Sequence, residues 1–176
     1  MMARRRQRGG AMIEFALTGI PLLFIMISII QMAIGMWHYH TLQYAVKEAG
    51  AYLSIHGSSS GYCKSNTCQI QNVASVLQTD AIGMPPNAIT VTFTPISSSD
   101  HTTAGTAYSC TLSNCVSDTT VWPVSGYNSV GSEFEIKALY HWSNALGMVT
   151  FGQGSSGAIS FSNPWFPGYT HQIIQY

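Results

Sequence analysis

An apolar stretch from Phe15 to Met36 limits most strongly what this chain can fold into. Its 22 residues contain no Asp, Glu, Lys or Arg, and most of them are large and apolar. A helix with a rise of about 1.5 Å per residue would make the stretch about 33 Å long, which exceeds the roughly 30 Å hydrocarbon core of a bilayer. The sequence therefore predicts a membrane-spanning helix followed by a domain outside the bilayer.

The charges of the chain predict the orientation of that helix. Arg4, Arg5, Arg6 and Arg8 are four of the seven basic residues, and three Lys and all seven carboxylates follow them in the sequence. Because basic flanks stay on the cytoplasmic side, we expect a cytoplasmic N-terminus and a periplasmic C-terminal domain, joined by one pass through the inner membrane. The zero net charge argues against a nucleic-acid partner, which requires an excess of Lys and Arg.

Other membrane signals fit this stretch less well. A cleaved signal peptide has an apolar region of about 7–15 residues and a small-residue cleavage site, and Trp37-His38-Tyr39-His40 offers no such site. Twin-arginine export is disfavoured because Arg5-Arg6 is followed by Gln-Arg-Gly-Gly rather than by apolar residues. A plain single-pass anchor fits the length and the orientation, but it does not explain Gly9-Gly10 or the lone acid Glu14.

The junction between the arginines and the apolar stretch reads Gly9-Gly10-Ala-Met-Ile-Glu14-Phe15. It resembles the class III signal of type IV prepilins, and most closely that of Tad-type (Flp/TadE-like) pilins, where a Gly is followed by four residues and then by Glu-Phe or Glu-Tyr. The resemblance extends over roughly residues 4–56. Beyond them, only the general architecture is similar.

The resemblance implies that a prepilin peptidase, an aspartyl protease of the membrane, cuts between Gly9 and Gly10 at the cytoplasmic face. Glycine suits such a cut because it has no Cβ and bends without strain. Glu14 would become the fifth mature residue and Phe15 the sixth, and the carboxylate of Glu14 is expected to pair with the N-terminal amine of a neighbouring subunit. Because an unpaired buried charge is expensive, Glu14 would set the register of the assembly rather than act as a catalyst.

These features predict a cytoplasmic leader at residues 1–9, a spine helix at 10–56 and an outer domain at 57–176. Pro21 cannot donate to the carbonyl of Leu17, so a kink is expected near residues 17–21. The helical period continues beyond the membrane and should end at Gly57. Its apolar stripe consists of Leu42, Ala45, Val46, Ala49 and Leu53.

The sequence of the outer domain predicts short helices and short strands. The predicted elements are a helix at Cys68–Thr79, strands at Ala88–Thr94, Glu133–Trp142 and Ala158–Ser162, and a polar loop at Ser97–Asn114. A long helix, transmembrane and then amphipathic, packed on a small antiparallel sheet is an α+β architecture that matches the pilin plan. The aromatic segment Phe161–Tyr169 either caps the sheet or exposes a surface for a partner.

Four cysteines form two C-x4-C pairs, Cys63/Cys68 and Cys110/Cys115. The predicted orientation places all four in an oxidising compartment, where disulfides persist. A zinc site usually has shorter ligand spacings and a reducing compartment, so disulfides that staple loops are the better interpretation. We expect each loop to close on itself, and cross-pairing of the two loops is the alternative.

The sequence shows no motif typical of an enzyme or of a metal site. His38 and His40 are two residues apart and therefore fall on different helix faces. We expect no cofactor and no catalytic residues. The sequence favours a minor pilin or pseudopilin of a Tad-type system whose partners are the prepilin peptidase, an inner-membrane assembly platform, other pilin-like subunits and membrane lipid. The alternative is a single-pass envelope protein with a ligand-binding or enzymatic outer domain.

Overall fold

The computed structural model describes residues 7–57, 68–97, 104–142 and 165–175. The chain divides into two units, Met1–Met36 with Asn144–Phe161, and Trp37–Ser143 with Ser162–Tyr176. The described residues of the first unit are helical throughout. The second unit combines helices with a β-sheet.

Helix α1 extends over Gln7–His56 and comprises 50 residues. The sequence placed the start of the spine helix at residue 10, whereas α1 begins at Gln7. Gly9 and Gly10 therefore both lie inside α1. At the other end, the N–H of Gly57 donates to the carbonyl oxygen of Leu53 at 2.7 Å. The helix ends directly before this glycine, as the sequence predicted.

Four antiparallel strands form one sheet in the described residues. The strands are β1 (Ile89–Ile96), β2 (Tyr108–Thr111), β3 (Glu133–His141) and β4 (Trp165–Ile173). Their order across the sheet is β2-β1-β3-β4. Val91 of β1 is opposite Cys110 on one side and Ala138 on the other, and Ala138 is in turn opposite Gly168 of β4.

Two further helices pack with the sheet, α2 (Ile70–Asp80) and α3 (Leu112–Cys115), and a 3-10 turn at Pro86–Ala88 precedes β1. The predicted helix at Cys68–Thr79 starts two residues later because Gln69 forms a β-bridge with Val121 instead.

The core lies between the helices and one face of the sheet. Alternate residues of β1 and β3 are fully buried there, and so are the apolar stripes predicted on α1 and α2 (Leu42, Ala45, Val46, Ala49, Leu53, Ile70, Val73, Ala74, Leu77, Ile89, Val91, Phe93, Phe134, Ile136 and Ala138). Trp122 is 2% exposed, and its ring contacts those of Phe93 and Phe134. A long helix packed on a four-stranded antiparallel sheet confirms the α+β prediction.

The structure corrects two parts of the sequence prediction. The predicted polar loop at Ser97–Asn114 contains β2 and most of α3, two elements of four residues each that are too short to show a periodic pattern. The aromatic C-terminal segment begins β4, where Pro167 and Gly168 obscured the strand signal. Proline is tolerated here because β4 is an edge strand. The third predicted strand, Ala158–Ser162, lies outside the described residues.

Candidate functional site

The residues of the predicted signal lie in the first three turns of α1. Gly9 and Gly10 belong to the helix, and Glu14 follows one turn later. The side chain of Glu14 is exposed and that of Phe15 is 77% exposed. Thr18 donates from its hydroxyl to the carbonyl oxygen of Glu14 at 2.8 Å, which leaves the Glu14 carboxylate unused by this contact. Both signature side chains are therefore presented outward, where another molecule has access to them.

The apolar half of α1 presents lipid-compatible side chains on every face. Each Leu, Ile, Met and Phe from Met12 to Met36 is exposed. A water-soluble monomer rarely exposes a contiguous apolar patch above a few hundred Å². By length and composition, α1 is able to cross a membrane, and it is the one helix of the described residues with this property. The structure thus has the features of a single membrane anchor.

Two hydroxyl side chains of the anchor are satisfied within their own helix. Thr18 bonds to the carbonyl of Glu14, and Ser28 donates to the carbonyl oxygen of Phe24 at 2.7 Å. Such back-bonding lets a hydroxyl reside in lipid without a partner helix. Pro21 also lies inside α1, where it leaves the carbonyl of Leu17 without its usual helical donor. The kink expected there stays a prediction.

The outer half of α1 is held against β4 by close packing at two glycines. A Cβ added to Gly168 would lie 2.9 Å from a methyl carbon of Val46 and 3.1 Å from Cγ of Leu42. A Cβ added to Gly50 would lie 2.8 Å from the methyl carbon of Thr170. Because a Cβ almost never comes this close to another atom, a larger residue at either position would push its neighbours aside. β4 and the outer half of α1 are therefore packed directly against each other.

A disulfide staples β2 to α3. It joins Cys110 and Cys115, whose Cα atoms are 5.7 Å apart, and Cys115 is completely buried. Cys68 is also disulfide-bonded. Cys63 lies outside the described residues, so its predicted pairing with Cys68 stays a prediction.

Asp118 organises the segment that follows this staple. Its carboxylate accepts hydrogen bonds from the hydroxyl of Thr120 at 2.6 Å, from the backbone N–H of Thr120 at 2.9 Å and from the hydroxyl of Tyr108. The hydroxyl bond from Thr120, next the bond from Tyr108 and then the backbone bond from Thr120 hold the pKa of Asp118 below its usual value. The same bond to Asp118 raises the pKa of Tyr108. The cluster is a structural link between β2 and the N-terminus of α2, because the carbonyl of Asp118 accepts the N–H of Gln71.

The histidines do not converge on a metal site in the described part of the chain, which holds no group of three or more His, Cys, Asp or Glu side chains suited to one. His38 is buried while His40 is exposed, in agreement with their different helix faces. His171 lies 3.0 Å from the carboxylate of Glu133 on the neighbouring strand. His56 stacks on Tyr52 with ring centroids 4.4 Å apart. Packing accounts for the contacts of His38 and His56, and a surface contact with Glu133 accounts for His171.

Comparison with known proteins identifies the N-terminal part of the chain. Residues 9–50 match the sequence model of the family described as TadE-like protein. These residues form a TadE-like domain. No curated protein and no solved structure matched the chain significantly.

The TadE-like domain includes the Gly9-Gly10 junction, the exposed apolar half of α1 and most of the buried half. It ends at Gly50, the residue that packs against Thr170 of β4. The match therefore extends into the part of α1 that the sheet covers. The four strands themselves lie outside it.

One feature of the structure escaped prediction, a group of aromatic side chains where α1 leaves its apolar half. The rings come from α1, from the end of β3 and from the start of β4. A partial signal was present in the sequence, because Trp37 and Tyr39 follow the apolar stretch directly and Trp142 and Trp165 flank the connection between β3 and β4. That these positions meet depends on the pairing of β3 with β4, which the sequence did not predict.

Proposed function

We propose that this chain is a minor pilin or pseudopilin, a non-enzymatic subunit in the assembly of a Tad-type pilus or secretion apparatus. The observation that carries the proposal is the TadE-like match over residues 9–50, which contains Gly9, Gly10, Glu14 and Phe15 in the spacing of a prepilin signal. The two-part α1 helix supports it, since one half is exposed and apolar while the other half is buried under a sheet.

Maturation would start with a cut between Gly9 and Gly10. A protease requires an extended backbone, whereas both residues lie in α1. Each glycine destabilises a helix by about 1 kcal/mol relative to alanine, so the first turns of α1 unwind at low cost. The cut removes Arg4, Arg5, Arg6 and Arg8 and creates a new α-amine at Gly10.

Glu14 would then set the register between neighbouring subunits and would have no catalytic role. Its exposed carboxylate lies one turn beyond the new amine, and both groups would face a neighbouring subunit in a packed helical core. Pairing of the carboxylate with the neighbour's amine neutralises two charges that are costly when buried alone. Phe15 would pack beside this pair.

The proposed location is the inner membrane, with a cytoplasmic leader, one spanning helix and a periplasmic domain that can enter a cell-surface assembly. The proposed partners are a prepilin peptidase, the inner-membrane assembly platform and other pilin-like subunits, with lipid around the anchor. The outer domain would be stapled by the Cys110–Cys115 disulfide and by a second one between Cys63 and Cys68.

The N-terminus of the mature protein tests the proposal. Intact mass and N-terminal sequence are measured on protein from cells with and without a prepilin peptidase. We expect a chain that begins at Gly10 only when the peptidase is present. Gly9→Leu should stay uncut, while Gly10→Ala should be processed, because nothing lies within 4 Å of a Cβ added at residue 10. A full-length chain in both strains, or a cut after Met36, would instead support a plain anchor or a signal peptide.

A second experiment tests the role of Glu14. Glu14→Gln should be processed and stay in the membrane but fail to enter the assembly, because the amide cannot neutralise the neighbour's amine. Glu48→Gln, an acid on the buried half of the same helix, is the matched control and should assemble normally. Co-purification with the assembled fibre or secretion complex is the readout. Equal incorporation of Glu14→Gln and wild-type protein would show that Glu14 does not set the register of the assembly.

A further inference from the structure

A chain of ring contacts ties three elements together at one end of the second unit. The ring of His38 in α1 contacts Tyr140 of β3, with centroids 5.5 Å apart. Phe166 of β4 stacks on Tyr140 at 6.5 Å and on Trp142 at 5.8 Å. Tyr39 of α1 meets the edge of Phe166 at 6.2 Å. These contacts hold the start of β4 and the end of β3 beside His38 and Tyr39 of α1.

Around these rings, four large apolar side chains are exposed. Trp37 is 50% exposed, Tyr39 37%, Trp165 56% and Ile82 64%. Ile82 belongs to the turn after α2, and this turn reaches Trp37, because a Cβ added to Gly83 would lie 2.8 Å from the indole. We call Trp37, Tyr39, Ile82 and Trp165 the aromatic collar. Its members come from three separate parts of the chain, so their exposure at one end is not an accident of a single amphipathic segment.

The collar lies where the chain leaves the apolar stretch. Trp37 follows Met36 directly, and α1 continues through both residues. At about 1.5 Å per residue, Trp37 and Tyr39 are within about 5 Å of the end of the stretch, which is the depth of the headgroup layer that surrounds a roughly 30 Å hydrocarbon core. Trp and Tyr are the residues enriched in that layer.

The segments that form the collar carry few charges. No Asp, Glu, Lys or Arg occurs between Glu14 and Lys47, and none follows Lys137. The part of α1 that carries Trp37 and Tyr39 therefore contains no Asp, Glu, Lys or Arg. The same holds for β4 and for the last four residues of β3. The charged residue nearest to the collar in the sequence is Asp80, the last residue of α2, two positions before Ile82. An aromatic surface with few charges occurs both at the centre of protein–protein interfaces and at the bilayer interface, and the position of Trp37 and Tyr39 directly after the apolar stretch favours the bilayer.

We propose that the aromatic collar is a membrane-docking surface, and that Trp37, Tyr39, Ile82 and Trp165 rest the outer domain on the headgroup layer of the bilayer that α1 crosses. The proposal rests on the membrane orientation given under Proposed function. Docking of this kind is driven by interfacial partition of aromatic rings and not by charge. It would hold the domain in one orientation at the membrane surface before the subunit enters an assembly.

Depth-dependent fluorescence quenching tests the docking surface. The full-length protein is reconstituted at low density into phosphatidylethanolamine/phosphatidylglycerol vesicles, with or without lipids brominated near the top of the acyl chains. Trp122, which is 2% exposed in the core, serves as the unquenched internal standard. Trp165→Phe should remove about one third to one half of the quenchable emission, because Trp37 and Trp165 are the exposed indoles at this end and Trp142 is half-buried against Phe166, while the aromatic ring itself is kept.

A second variant provides the depth control. In Trp165→Phe/Tyr169→Trp the indole moves four residues along β4, about 13 Å at the usual rise of a strand, while it stays exposed. We expect this indole to escape quenching. Added salt should not change the quenching of Trp165, because the collar contains no Lys or Arg.

The outcomes separate docking from anchoring. If Trp37 is quenched but the signal is the same in wild type and Trp165→Phe, the anchor is inserted and the docking proposal is wrong. If no indole is quenched, both the docking surface and the membrane anchor are refuted. If Trp165 becomes shielded from brominated lipid as the protein density rises, a second copy covers the collar, and this result also overturns the proposal.

Discussion

Gln43 of α1 donates a 2.8 Å hydrogen bond from its side-chain amide to the carbonyl oxygen of Pro167 in β4. Its Oε1 also accepts the backbone N–H of Tyr169 at 3.5 Å. One amide side chain thus engages the backbone of the edge strand as a neighbouring strand would. Exposed strand edges invite pairing with other chains, so this contact both fastens the last strand to the spine and protects its edge.

Gln43→Met tests this contact with a side chain of similar shape and no hydrogen-bonding groups. We expect a loss of about 1 kcal/mol in the free energy of unfolding, because two backbone groups of β4 lose their partner. Urea unfolding of the detergent-solubilised protein measures it. Lys47→Met, one turn further along and exposed, is the control and should change the stability little. Equal stability of both variants would show that the contact contributes nothing.

Gly168→Ala should destabilise the outer domain more strongly than Gln43→Met. The added methyl would press on Val46 and Leu42 at about 3 Å, and overpacking of this kind costs about 1–3 kcal/mol. Thermal unfolding followed by circular dichroism is the measurement. Gly19→Ala is the matched control, because its Cβ would meet no atom closer than 3.9 Å. A Gly168→Ala variant as stable as the control would mean that α1 and β4 are not in close contact.

The parts of the fold that could be predicted are those in which one short segment carries its own pattern. The apolar stripe from Leu42 to Leu53 and the alternating pattern of β1 and β3 are local features of the sequence. The apolar residues that define them are all buried in the structure. β4 was missed because its pattern depends on a distant partner. Pro167 and Gly168 disfavour a strand by themselves, and they are accommodated only because Gln43 and Val46, more than 120 residues earlier, receive them.

The same limit applies to the functional residues. The spacing of Gly9, Glu14 and Phe15 is local, and the sequence alone suggested their role. The aromatic collar combines residues as far apart as Trp37 and Trp165, so only the register of β3 with β4 reveals it. The hydrogen bonds of Asp118 were likewise hidden, since its partner Tyr108 belongs to a strand that the sequence did not predict.

Asp118 and Tyr108 predict a stability profile with two limits in pH. The pKa of Asp118 is lowered in the folded protein, so its ionised form stabilises the fold above the usual value of 3.8, and this contribution is lost as the pH falls below it. The pKa of Tyr108 is raised, so its contribution is present below the usual value of 10.0 and is lost as the pH rises through the folded pKa. Unfolding midpoints in urea across this range measure both.

Two variants test this pair. Asp118→Asn should be less stable than wild type at neutral pH and should lose the extra decline in acid and most of the alkaline limit, because Asp118 is the main cause of the raised pKa of Tyr108. Tyr108→Phe should remove the alkaline limit and weaken the decline in acid without abolishing it, because the bonds from Thr120 to Asp118 remain. Asp80→Asn removes an acid outside this cluster and should leave the contributions of Asp118 and Tyr108 unchanged. If Asp118→Asn retains the full acid dependence of the wild type, another carboxylate is responsible for it.

Removal of the Cys110–Cys115 disulfide should loosen a specific part of the outer domain. The two cysteines are five residues apart, and a loop of this size is worth about 2 kcal/mol in chain entropy. The staple precedes the segment whose carbonyls, at Asp118 and Thr120, accept the N–H groups of Gln71 and Ile70 at the start of α2. In Cys110→Ala/Cys115→Ala we therefore expect faster amide exchange at the start of α2, with little change in the pairing of β1 with β3. The exposed Asn114→Ala, inside the same loop, is the control. Faster exchange spread evenly over the sheet and α2 would show that the disulfide stabilises the domain as a whole and not this junction.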